Sequence, residues 1–155
     1  MTGTRTSPWV AILYGGMFAG TMDVFAASLI NMVSPLIILR AIASGLLGRT
    51  AFQGGMPVSL LGLGLQWAMS LLIAAIFVIA TRRLVWMRER WAAAGLAYGV
   101  MIFAVMEYVV VPLSAAAKPH FTALSLAGNV LAMLLFGLVV SFFARDTGGA
   151  PEVRA

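Results

Sequence analysis

Cysteine is absent from the 155-residue chain and histidine occurs once, at His120. Disulfides, thiolate metal sites and thiol catalysis are therefore excluded, and a histidine-based metal or haem site within one chain is disfavoured. Charge is scarce as well: Asp, Glu, Lys and Arg together make up 10% of the residues, against about 25% in an ordinary soluble domain. No Gly-rich phosphate loop, HExxH pair or serine nucleophile elbow occurs. The sequence thus offers no catalytic residue, no metal ligand set and no cofactor-binding motif.

What is present is hydrophobic surface. Apolar residues make up 62% of the chain, and they gather in runs of about 20, the length a helix needs to cross the hydrocarbon core. A net charge of +5 would suit nucleic acid if it formed a patch. The basic residues instead flank the apolar runs, where they act as topology signals, so the expected partner is the lipid bilayer and not nucleic acid.

Four spans are expected, at about 9–32, 58–81, 91–113 and 121–144, in a single all-α membrane domain covering 1–155. Pro8 and Trp9 open the first. A secretory signal peptide competes for this span, since Phe25-Ala26-Ala27 supplies small residues near a cleavage position. Its start is weakly basic, however, its apolar part is long, and Asp23 interrupts it, so a mature helix is preferred. Between the first two spans, Ser34-Pro35 reads as a cap and first helical residue. The segment it starts, 35–47, is too short to cross. Arg40 and Ser44 share one face and Ile38, Leu39, Ile42 and Leu46 the apolar one, as in a short outer interfacial helix. Gly45, Gly48 and Gly54-Gly55 are expected to break regular structure after it.

Seven basic residues (Arg5, Arg82, Arg83, Arg88, Arg90, Arg145, Arg154) fall on one side of such a bundle and three (Arg40, Arg49, Lys118) on the other. The positive-inside rule then puts both termini in the cytoplasm, with Trp9, Trp86 and Trp91 at the same interface. Each span carries one strongly polar side chain: Asp23, Gln66, Glu107 and Asn129. All lie 14 to 16 residues from the cytoplasmic end of their span, roughly 21–24 Å up at ~1.5 Å per residue, which predicts one intramembrane polar layer. Gly16-x3-Gly20 and Gly95-x3-Gly99 predict close helix approach beside it. Two carboxyl groups at one depth need compensation, by protonation of one or by Arg40 or Arg49 folding in as partners.

The segments Ile42-Ala43-Ser44-Gly45-Leu46-Leu47-Gly48, Ala51-Phe52-x-Gly54-Gly55, Tyr98-Gly99 and Tyr108-Val109-Val110-Val111-Pro112-Leu113-Ser114-Ala115 resemble a set of small, uncharacterised bacterial inner-membrane proteins. In span order and in the aromatic–apolar–Pro-Leu ending of the third span, the chain also resembles, more loosely, the YagU-like family. The resemblance implies a four-helix inner-membrane protein and carries no catalytic residues with it. Two functions follow as expectations. The first is an accessory or structural subunit, in a homo-oligomer or with a membrane partner, whose polar layer holds the bundle. The second is a small oligomeric proton-coupled transporter or channel using Asp23 and Glu107. An enzyme acting on lipid headgroups through Arg40, Arg49 and an acid is a third reading.

Overall fold

The computed structural model describes residues 7–116 and 122–147. Arg5, Lys118 and Arg154, used above for orientation, lie outside the described residues, as do His120 and Phe121. The described chain is helical, with no strand: α1 (Pro8–Asn31), α2 (Pro35–Leu47), a 3-10 segment (Gly48–Gln53) and α3 (Met56–Arg83) come first. Then follow α4 (Trp86–Glu89), α5 (Trp91–Val105), a π-helical turn (Met106–Val110), α6 (Val111–Leu113) and α7 (Ala123–Ala144).

Among the described residues five helices, not four, are long and apolar enough to cross a membrane: Pro8–Asn31, Pro35–Gln53, Met56–Arg83, Trp91–Leu113 and Ala123–Ala144. The additional one joins α2, which has the expected bounds 35–47, to the 3-10 segment that follows it. Helical backbone continues through the 3-10 segment to Gln53, so length no longer sets this element apart. The expected breaks are partly there. Gly45 stays inside α2, whereas Gly48 has φ 64° and changes the helix type. Gly54-Gly55 separates the 3-10 segment from α3.

The caps explain the remaining boundaries. Ser34 Oγ accepts the Leu36 N–H at 3.3 Å with Pro35 in the first turn, as its sequence predicts. Thr122 and Ser125 form a reciprocal capping box, Thr122 Oγ1 accepting from Ser125 N at 3.1 Å and Ser125 Oγ accepting from Thr122 N at 2.9 Å. This starts α7 at Ala123. At the end of α1, Met32 takes a left-handed conformation (φ 54°) and Ser28 Oγ donates to the Val33 carbonyl.

Many of the buried residues are small, and most of the exposed hydrophobic ones are large. Ala11, Ala19, Ala43, Ala74, Ala94, Ala132 and Ala144 are buried, while Trp9, Tyr14, Phe18, Leu29, Leu60, Leu72 and Leu131 are exposed. Water would drive the opposite arrangement; between lipid-facing helices, association rests on close packing at small residues. Gly16 and Gly20 of α1 pack on Ser70 and Leu71 of α3. Gly15 and Gly128 pack α1 on α7 through Phe143 and Ile30, and Gly95, Gly99 and Gly137 bring α5 onto α7. In every pair the residue numbers rise on one helix as they fall on the other. Thus α1 is antiparallel to α3 and to α7, and α5 to α7. Tyr98 closes the core, its hydroxyl donating to the Ile73 carbonyl at 2.7 Å and its ring 4.9 Å from Phe77.

Antiparallel packing puts Asn31, Met56 and Leu113 at one end of the bundle, and α2 touches that end along its whole length. Ser59 Oγ donates to the Leu36 carbonyl at 3.4 Å, and the Leu39 carbonyl lies against Gly62, where a Cβ would overlap it. The Gly45 carbonyl accepts from Ala115 N at 3.0 Å. The buried face of α2 is Leu39, Ala43 and Ser44, and Leu46, expected on the apolar side, is exposed.

Candidate functional site

The four polar residues form two pairs. Gln66 Nε2 donates to Asp23 Oδ2 at 2.9 Å and to the Gly20 carbonyl at 3.2 Å. From the next residue of α3, Trp67 Nε1 donates to Thr21 Oγ1 at 3.2 Å. These bonds stitch α3 to α1, and they are possible because Gly20 carries no side chain to hold the helices apart. Chemically this is a satisfied lock: a carboxyl group and an amide, each the other's partner across a helix interface.

The second pair lines a cleft of about 250 Å³ with Asn31, Phe103, Met106, Glu107, Val111, Asn129 and Met133 as its walls. Glu107 lies in the π-helical turn, where Val111 N–H donates back to the Met106 carbonyl. The cause is local. Pro112 has no N–H for the Tyr108 carbonyl and its ring crowds that turn, so the helix widens just before it. Wide turns of this kind re-aim side chains, and here Glu107 joins the cleft. Asn31 points in from the exposed end of α1, its Nδ2 bonded to the Ala27 carbonyl at 2.8 Å. Among the described residues Glu107 has neither a hydrogen-bond partner nor an ion-pair partner.

The pairs also differ in depth. Gly15 packs on Phe143 and Gly128 on Ile30, a register that sets Asn129 level with Leu29. That is roughly 9 Å nearer the Asn31 end than Asp23, at ~1.5 Å per residue. Counting from span ends treats the helices as starting level. They do not, because α1 extends past the end of α7 by several residues before Gly15 meets Phe143.

Arg40 and Arg49 reach neither carboxyl group. Arg40 Nε donates to Ser59 Oγ at 3.3 Å, which ties α2 to α3. Arg49 is exposed in the 3-10 segment. Among the described residues the one ion pair joins Arg145 to its neighbour Asp146, and no group of His, Asp and Glu is arranged to hold a metal.

Asn31, which lines the same cleft as Glu107, is not among the four polar residues expected from the sequence. The usable signal was Pro112 five residues after Glu107, which marks a disturbed turn. No protein-family model, curated protein or solved structure matches this chain.

Proposed function

We propose that this is a four-span inner-membrane protein with both termini cytoplasmic, acting as an accessory or structural subunit. In this reading the Asp23–Gln66 lock holds α1 to α3, while the Asn31–Glu107–Asn129 cleft is completed by a second copy or by a partner's helix. The observation that carries it is the cleft itself. An open, polar surface on a membrane helix bundle is costly against hydrocarbon, and a covering helix removes that cost. Four spans are supported by the antiparallel α1–α3 pair, since one further crossing between them would make them parallel. The contacts of α2 with the Asn31 end alone point the same way and suit an outer interfacial segment.

The test is the native mass of the protein after gentle extraction from its own membranes. A complex larger than one chain is expected, and Glu107→Leu should leave the fold intact while altering the assembly. A monomer indifferent to that substitution sinks the reading.

One observation favours the second reading, an oligomeric proton-coupled transporter: Glu107 is free of partners among the described residues, unlike Asp23. A working carboxylate must meet water. Carbodiimide should then label Glu107 in a pH-dependent way in intact membranes, and uniform inertness at every pH would exclude it.

A further inference from the structure

At the opposite end of the bundle an apolar groove runs along the outward face of α7. Leu135, Leu138, Val139, Phe142 and Phe143 form its floor, with Phe18 of α1 and Trp91 of α5 as walls, and its volume is about 440 Å³. The groove exists because α7 is recessed. Gly15 and the Gly95–Gly99–Gly137 contacts draw α1 and α5 onto it, so that their large side chains stand above its surface. At the mouth is Arg145, the first residue after α7. Its guanidinium carbon lies 4.1 Å from the centre of the Phe142 ring and 5.6 Å from that of Trp91. Only its Nε is engaged, by Asp146 at 3.3 Å. Its two terminal nitrogens have no partner among the described residues.

We infer that this groove with Arg145 at its mouth is a binding site for one anionic phospholipid, an acyl chain lying along α7 and the phosphate meeting the guanidinium. The complementarity is of two kinds. The floor and walls are apolar throughout, which suits a hydrocarbon chain and leaves nothing for a polar ligand to bond. The cation sits close to two aromatic rings, and its two terminal nitrogens, without a partner among the described residues, are the donor pair that guanidinium groups offer to a phosphate. Arg90, next to Trp91 in the chain, adds positive charge at this end, and Asp146 opposes it. The groove ends where Trp91 stands, the depth at which an aromatic ring favours the headgroup boundary. A net anionic headgroup is selected because a zwitterionic one would bring its own cation toward Arg145 and Arg90.

The experiment is native mass spectrometry of the full chain in neutral detergent, supplied with phosphatidylglycerol and phosphatidylcholine at equal mole fraction. One phosphatidylglycerol should be retained in about tenfold preference. Arg145→Gln should bring the ratio close to one, and Leu135→Trp, which fills the exposed part of the groove, should reduce retention of both lipids. Equal retention by the wild-type chain overturns the inference, as does a preference that survives Arg145→Gln. The absence of cysteine allows a clean third arm. Efficient disulfide formation between Leu135→Cys chains in native membranes would put a second copy in the groove and overturn it as well.

Discussion

Gln66 reaches from α3 to both the Asp23 carboxyl and the Gly20 carbonyl, so replacing it by an apolar residue removes two interhelical hydrogen bonds at once. Gln66→Leu should cost about 1–2 kcal/mol, the range of interhelical hydrogen bonds in membrane bundles. Asp23→Asn retains an oxygen that accepts from Gln66 and should change stability by less than about 0.5 kcal/mol. Reversible unfolding in mixed micelles of the two variants decides the matter. Equal losses would mean that the Gln66 bond needs the charged carboxylate of Asp23 and not merely an acceptor oxygen. Met32 offers the opposite case. It holds a left-handed conformation at the end of α1 and its side chain is exposed. Met32→Gly should stabilise by about 1 kcal/mol, because the Cβ that resists this conformation is gone. A loss of stability in the same assay would mean that the Met32 side chain anchors the turn.

At the level of elements, spacing made the spans and two of the helix contacts legible. Runs of apolar residues set the lengths of α1, α3, α5 and α7, and the pairs Gly16–Gly20 and Gly95–Gly99 do mark close approaches. Register was not legible, because it depends on where facing helices meet. Gly15, Gly62, Gly128 and Gly137 set that from both sides of each contact, and nothing within one helix reveals its partner. The π-helical turn was hidden for a related reason: composition gives its residues as ordinary helix, and only Pro112 acting backwards on the preceding turn widens it. A pair of substitutions tests this account of the glycines. A Cβ at Gly137 would enter the backbone of Gly95 and Gly99, whereas one at Gly64 would meet open space. Gly137→Ala should destabilise by about 1–3 kcal/mol through overpacking. Gly64→Ala should be neutral or stabilise by up to about 1 kcal/mol through helix propensity. If both variants unfolded alike, the α5–α7 contact would not depend on that glycine.

For the whole molecule the central question is how many times the chain crosses the bilayer. Hydropathy and length allow five crossings, yet the helices have directions, and directions constrain crossings more tightly than composition does. In the proposed four-span arrangement the segment between the antiparallel α1 and α3 leaves and re-enters the same side, and α2, held against Ser59, Gly62 and Ala115, stays on that side. Four crossings put Thr50 and the 82–90 loop on opposite faces and bring both chain ends together on one. Five would send the ends to opposite faces. The cysteine-free background makes the measurement direct: Thr50→Cys should react with a membrane-impermeant maleimide added outside intact cells. Val85→Cys should react only after permeabilisation, and reporter domains fused to either end should both report the cytoplasm. Reversal of both cysteine results would invert the bundle without changing the number of spans, and would remove the charge argument for orientation. Reporters on opposite faces would be more serious, because the α1–α3 pair would then have to be parallel. The Asp23–Gln66 lock, which depends on that pair running in opposite directions over Thr21–Trp67 and Gly16–Leu71, could not form as it stands.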